Sequence, residues 1–274
     1  MTAATSQARF AASRAANSKP LEYLARAGFV CYGIIHLLFA WVAFQLAFGN
    51  SAQSGDQTGA MQKLASQPLG KFLLILVVIG MVALALWMGL EAAIGESGVQ
   101  STRAKVERVI NGVRAIVYLW LAWTGYQVLH GASSSQATGS KNATSHLMNS
   151  AGGRFWVGLI GLVVVGVGVG LMWYGLKKKF EEHLNTEQMR VEVRKTVRRL
   201  GMAGYTAKGV AYGIVGVLLI AAAVTYNPSK ASGLDGALKT LASQPFGPWL
   251  LALVAIGIAA FGIYCFFQAR YRQV

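Results

Sequence analysis

The chain has 274 residues, of which 54% are hydrophobic and only 13% charged, with 32 glycines spread largely through apolar stretches. That balance excludes a water-soluble domain of this size and puts the chain in a membrane. The formal net charge of +15 does not by itself argue for nucleic acid, because no RNA- or DNA-binding motif accompanies it and the aromatics sit mostly in the apolar stretches.

Residues 1–20, rich in Ala, Ser, Arg and Asn, have nothing to pack with and read as a flexible cytoplasmic tail. The first apolar window runs from Ala27 to Phe48. Arg9, Arg14 and Lys19 precede it as they would a signal peptide, but it exceeds a signal h-region of roughly 7 to 15 residues and is copied downstream, so it reads as mature structure. A polar loop, Gly49 to Gly70, follows. Within it Ala60-Met61-Gln62-Lys63-Leu64 predicts a short interfacial helix, and Ser66-Gln67-Pro68 stops it and starts the next span, since proline is tolerated in a first helical turn. The second window is Phe72 to Ala93; Val109 to Leu129 and Phe155 to Leu176 flank a second polar loop, Gly131 to Gly153. Lys177-Lys178-Lys179 then closes a helix with cations at its C-terminus, where the macrodipole favours them.

The linker 183–200 predicts a basic amphipathic helix, with Asn185 as N-cap and Gln188 three positions into it. Met189, Val193, Val197 and Leu200 form its apolar stripe, beside Arg190, Arg194, Lys195, Arg198 and Arg199. Such a helix lies on anionic lipid headgroups, a docking site for a membrane-protein partner being the alternative. The last two windows, Gly204 to Thr225 and Trp249 to Ala269, flank a third polar loop, Asn227 to Gly247, whose Ala237-Leu238-Lys239-Thr240-Leu241 repeats the short helix of the first. All six windows match the roughly 20 residues that cross a hydrocarbon core about 30 Å thick.

The six windows are three copies of one unit. Leu64-Ala65-Ser66-Gln67-Pro68 returns as Leu241-Ala242-Ser243-Gln244-Pro245, while Ala40-Trp41, Gln45 and Gly49 return as Ala122-Trp123, Gln127 and Gly131. The fold expected is an all-α membrane protein of six transmembrane helices in three tandem two-helix repeats, compatible with a pseudo-threefold arrangement. The repeats span 21–98, 99–182 and 201–274. Repeat two lacks the Gln-Pro elbow, which predicts that its elbow departs in shape from the other two. Of the 25 Lys and Arg, only Lys63, Lys71, Lys141, Arg154, Lys230 and Lys239 fall in the loops inside the repeats, so the positive-inside rule puts both termini in the cytoplasm.

Units opening with Ala27-Gly28-Phe29 or Ala203-Gly204-Tyr205 and closing with Gln-Pro-Leu/Phe-Gly resemble the domain of unknown function 1206 family of bacterial membrane proteins. The resemblance covers nearly the whole chain after residue 20 and is weakest in repeat two. It implies a multi-pass protein of the bacterial plasma membrane and brings no catalytic residues with it.

Aligning the ascending helices sets Tyr32, Arg114 and Lys208 at equivalent positions, and His36, Tyr118 and Tyr212 four residues on. That spacing puts each pair on one helix face. Around a pseudo-threefold axis they would form a polar cluster of two cations, one imidazole and three phenols near the cytoplasmic side, and ionisable groups within a span are functional candidates by default. The alternative is that Arg114 and Lys208 snorkel to headgroups. Gly166 and Gly170, and Gly209 and Gly213, read as small-x-x-x-small packing faces.

No Ser/His/Asp set, acidic pair or His cluster at ligand spacing lies in the spans, so neither an enzyme nor a metal or other cofactor is expected. Cys31 and Cys265 read as free thiols in the core. Two function classes stay open: a non-enzymatic scaffold or accessory subunit, and a small-solute or ion transporter or channel with a site between the repeats. A water-accessible polar cavity on the three-repeat axis lined by Arg114, Lys208 and His36 would favour transport, and a dry axis packed with Gly, Leu and Val would favour a scaffold.

Overall fold

In a computed structural model of the chain, residues 19–49, 55–94, 102–131 and 136–272 are described. The tail read at residues 1–20 lies outside them, except for its last two residues, which open the first helix. The described residues form nine α-helices: α1 (Lys19–Ala47), α2 (Gln57–Ala65), α3 (Gly70–Ile94), α4 (Thr102–Leu129), α5 (Gln136–Met148), α6 (Gly153–Leu176), α7 (Val191–Thr225), α8 (Gly233–Ala242) and α9 (Gly247–Tyr271). Each repeat is thus a long helix, a short helix and a second long helix. The short helix is present in the middle repeat as well, where the polar run from Gln136 does not announce it. It is held by tertiary contacts, with Ala137, Thr144 and Met148 buried.

Five segments are long and apolar enough to cross a membrane: Glu22–Ala47, Gly70–Ala93, Gly153–Leu176, Val191–Thr225 and Gly247–Tyr271. Helix α4 has 28 residues, a length of about 42 Å, but Arg108, Asn111 and Arg114 in its first half dilute its apolar character. The outer surface of the bundle is a belt of exposed Leu, Ile, Val and Trp, including Ile79, Leu86, Leu162, Leu253 and Ile256. A contiguous apolar belt of that kind marks a lipid-facing surface of a multi-pass membrane protein.

The most extensive helix contacts join different repeats: α3 with α4, α6 with α7, and α9 with α1. Within repeats, α1 meets α3 and α7 meets α9, while α4 and α6 have no substantial contact with each other. Two equivalent arginines fasten these joints. Arg26 donates to the Ala269 and Arg270 carbonyls at the end of α9, at 2.8 and 2.7 Å, and Arg108 donates to the Ala92 and Ala93 carbonyls at the end of α3, at 3.0 and 2.7 Å. Each satisfies carbonyls that have no partner inside their own helix and complements the negative end of its dipole.

The α6/α7 joint corrects one reading of the glycines. Gly209 does lie in the joint, where an added Cβ would sit 2.6 Å from the Gly168 carbonyl oxygen, and the backbone of Gly213 lies against Gly168. Gly166 and Gly170, by contrast, are exposed and meet nothing within 4 Å. At about 100° per residue, Gly168 faces away from the two glycines that flank it.

All three elbows have the same geometry, contrary to the departure expected of repeat two. The amides of Gly70, Gly153 and Gly247 donate to the carbonyls of Gln67, Ser150 and Gln244 at 2.8, 2.9 and 2.7 Å. The residues just before, Leu69, Gly152 and Phe246, adopt left-handed φ values of 60°, 71° and 59°. A glycine pair therefore reproduces the turn that Pro-Leu-Gly and Pro-Phe-Gly make elsewhere, because glycine enters the left-handed region without a Cβ penalty.

The linker also differs from its sequence reading. Instead of a separate helix from Asn185, two 3₁₀ turns (Lys179–His183 and Thr186–Gln188) lead into α7, which runs 35 residues without a break. Its apolar stripe faces the protein: Met189 and Val197 are buried with Phe180 and Leu184, and Val193 and Leu200 pack against them. Glu181 clamps this layer, accepting from Arg198 Nε and Nη2 at 2.6 and 3.0 Å, with Arg194 at 3.8 Å. The hydrogen bonds from Arg198 hold the Glu181 carboxyl below its ordinary 4.5. Its stabilising effect is therefore present above that value and lost as the pH falls through the lower folded one. Glu181→Gln should speed amide exchange across residues 179–189 at neutral pH, and unchanged exchange there would mean that the clamp carries no stability.

Candidate functional site

Helix α1 presents Tyr32 and His36 one turn apart, and α7 brings Lys208 to both. Lys208 Nζ donates to the Tyr32 hydroxyl at 3.1 Å and lies 3.5 Å from His36 Nε2. It also stands 3.9 Å over the Phe261 ring. His36 is 2% exposed, and its Nδ1 is 2.9 Å from the Tyr32 carbonyl oxygen. A carbonyl can only accept, so Nδ1 carries the hydrogen and Nε2 offers its lone pair to Lys208. Among the described residues no carboxylate pairs with this amine.

From α4, Tyr118 meets Tyr32 edge-on at a ring separation of 5.1 Å. Arg114, one turn away, donates from Nη1 to Asn111 Oδ1 on its own helix at 3.3 Å, and Asn111 Nδ2 reaches α3 by donating to Glu91 Oε2 at 3.1 Å. Four of the six candidates, Tyr32, His36, Tyr118 and Lys208, are therefore in contact, Arg114 belongs to the separate chain through Asn111 to Glu91, and neither cation turns out to lipid as snorkelling would require. Tyr212 faces the other way and lines a small cavity with His36, Lys208 and, from α2, Gln57. Phe39, Ala211, Leu234 and Ile258 complete the walls, and the space holds about one water molecule. Repeat two contributes nothing to this lining. The cavity lies between repeats one and three, roofed by their short helices.

Four further polar residues escaped the sequence reading. Gln57 is 8% exposed, and its Oε1 has no hydrogen-bond partner. Asp56, fully buried, caps α2 by accepting the Gly59 amide on Oδ1 at 2.8 Å, while its Oδ2 is unpartnered. Asp235 accepts the Gly55 amide at 2.7 Å and Lys239 at 2.8 Å, tying α8 to the start of α2. Burial pushes the Asp56 carboxyl up from its ordinary 3.8; the Gly59 amide opposes this and the Asp235 carboxylate adds to it. At the opposite end, Arg272 is buried with its guanidinium 5.1 Å from both the Phe29 and Trp87 rings, and its Nε has no partner. The available signal was that Asp56 and Asp235, the chain's two aspartates, each sit among small residues at the start of a short helix.

The two cysteines are free, and Cys31 directs its thiol to the Leu76 carbonyl.

Residues 27–95, 111–178 and 203–272, covering the three long-short-long units, each match the family described as Domain of Unknown Function (DUF1206). The chain belongs to that family. An uncharacterized protein, YxxB of Bacillus subtilis (strain 168), is 27% identical to this DUF1206 chain over 259 residues, 94% of each. No solved structure matches. The DUF1206 segments contain all six sequence candidates together with Asp56, Gln57, Asp235 and Arg272, whereas Glu181 falls in the connection between the second and third.

Proposed function

We propose that the protein is a non-enzymatic transporter or channel for a small solute or ion, with its central site at the cavity between Lys208 and Gln57. The observation that carries this reading is the amine of Lys208, which has no carboxylate partner among the described residues and stands beside a small enclosed space that His36, Gln57 and Tyr212 also line. An ionisable group placed so within a membrane is costly, and a function explains its presence. Repeats that frame a site between them support the same reading.

In this reading α4 is the sixth span, the three repeats surround a pseudo-threefold axis, and the protein sits in the bacterial plasma membrane with both termini cytoplasmic. The exposed Arg190, Lys195 and Arg199 at the start of α7 then meet anionic lipid headgroups. A cysteine introduced at Asn149 should react with an impermeant thiol reagent in intact cells and one at Glu187 should not. Reaction at Glu187 would reverse the orientation.

The test of function is flux in proteoliposomes. Vesicles carrying the protein should pass at least one of protons, potassium or chloride faster than protein-free vesicles, and Lys208→Met should remove the difference. A second reading, an accessory subunit, is favoured by the gap between α4 and α6, whose flanking apolar faces would accept a partner helix. Absence of flux for every ion, with a membrane protein co-purifying, would select it.

A further inference from the structure

The six long helices pack in the order α4, α3, α1, α9, α7, α6, and no substantial contact joins the two ends of that series, α4 and α6. Helix α7 shows what the opening leaves uncovered. At about 100° per residue, Lys208, Tyr212, Val215 and Leu219 share one face of it. That face lies between the joint with α6, at Gly209 and Gly216, and the joint with α9, at Gly204 and Ala207. It is opposite the exposed Val217 and Val224. It is therefore an inner face, yet all four of its residues are partly exposed. From Lys208 to Leu219 it extends about 16 Å, one leaflet's share of a hydrocarbon core about 30 Å thick.

The end of the opening away from the short helices is cationic. Arg114 on α4 occupies the position equivalent to Lys208, and Tyr174 on α6 approaches it across the opening. Val117, one turn along α4 from Arg114, and Val167, two turns back from Tyr174, continue the two walls, and both are exposed. Among the described residues Arg114 forms no ion pair, and Asn111 stands between it and Glu91. Lys177 and Lys178 are exposed just beyond Tyr174, past the end of α6.

We propose that this opening holds one anionic phospholipid, its phosphate on the Arg114 guanidinium and one acyl chain laid along Tyr212, Val215 and Leu219. The two parts of such a molecule match the two parts of the opening. A guanidinium fork grips phosphate with paired N–H donors, and Lys177 and Lys178 add positive charge at the mouth, which selects an anionic headgroup. The chain supplies the van der Waals contacts that an inner face without a covering helix lacks. Arg114 does not turn outward to reach a headgroup, because the opening brings the lipid in to it. A partner helix, about 10–12 Å across, would have to part Arg114 from Tyr174, whereas a single acyl chain lies beside them. Binding here needs no ion flux, so it goes beyond the transport reading without depending on it.

The experiment uses the full chain in phosphatidylcholine nanodiscs doped with phosphatidylglycerol that carries a photoactivatable diazirine on one acyl chain, with the labelled residues read by peptide mass spectrometry. Lipid surrounding the bundle labels the outer face of α7, at Val217 and Val224, whatever its headgroup. A lipid in the opening also labels Tyr212, Val215 and Leu219. Wild type should label that inner face at least fivefold more with the phosphatidylglycerol probe than with its phosphatidylcholine counterpart. Arg114→Gln should erase the preference and leave the outer-face label unchanged. Val167→Trp, which fills the opening from its exposed wall, should cut the inner-face label at least fivefold, and it serves in place of Arg114→Gln if that variant loses the wild-type melting profile. Inner-face label that is absent, equal for the two headgroups or retained in Val167→Trp overturns the proposal. Loss of the label to added inorganic phosphate alone also overturns it, since Arg114 would then hold a free anion. A co-purifying membrane protein that cross-links to cysteines at Val117 and Val167 overturns it as well and gives the opening to a helix.

Discussion

Alanine at Gly70, Gly153 or Gly247 should each destabilise the protein by roughly 4 kcal/mol or more, at the severe end of single substitutions. These glycines open the descending helices, tucked under the last turn of the short helix before them. A Cβ at Gly70 would stand 1.7 Å from the Leu64 carbonyl oxygen, at Gly153 1.7 Å from that of Leu147, and at Gly247 2.1 Å from that of Ala242. Each obstacle is backbone and cannot rotate aside, so the elbow itself must open. Gly166→Ala supplies the contrast. It meets nothing and should leave stability unchanged or raise it by up to about 1 kcal/mol through helix propensity. Thermal unfolding in detergent distinguishes them; a Gly153→Ala protein that melts with wild type would show that the middle elbow is not equivalent to the others.

Acid should tighten the short-helix face. Folding raises the Asp56 carboxyl above its ordinary 3.8, so the folded state holds more protons than the unfolded one between those two values. Stability is then highest below 3.8 and falls as the pH rises through the folded value. Protection factors of the Gly59 and Ala60 amides, corrected for intrinsic exchange, should decrease from pH 4 to pH 7. Asp56→Asn keeps an N-capping oxygen, since Asn and Asp cap about equally well, yet removes the titration, so its protection should be flat over that interval. A wild type that is equally flat would remove Asp56 as a titrating group. The Glu181 clamp acts in the opposite direction and below 4.5, so the two effects differ in sign and in the amides that report them.

The repeats, the helical class and the core of the site were legible because they depend on spacing within one helix or on copies of one unit. Tyr32 and Lys208 align by a constant offset, and a helix face brings His36 to the same place. The Glu91 link and the Arg272 position were not legible, because each depends on which helix neighbours which, and that order is fixed by packing between repeats. Gly55 and Asp235 meet across 180 residues, the Gly55 amide donating to the Asp235 carboxylate and setting Asp56 beside it. Repeat two misled for a different reason: Ser150-Ala151-Gly152 shares no letters with Gln67-Pro68-Leu69, yet Gly152 takes the left-handed φ that Leu69 takes, so the identity of the turn lies in conformation and not in residue type. The end of the linker helix at 200, just before Gly201, failed similarly. That glycine leaves room for the Phe180 ring, which an added Cβ would meet at 2.5 Å, and the helix passes through it.

The pairing of α9 with α1 has a consequence for how the chain is made. Of the described helices α1 is made first and its main partner α9 last, so the face carrying Tyr32 and His36 lacks that partner until α9 inserts. Closure of that joint is then the committing event of biogenesis, and Phe261 on α9, the ring under Lys208, arrives with it. A chain halted before Gly247 would hold two well-formed joints, α3 with α4 and α6 with α7, and an unfinished site. By the same logic a permuted chain that begins at Thr102, with the end of α9 joined by a linker to the start of α1 near the Arg26 joint, should assemble the same bundle in a different order.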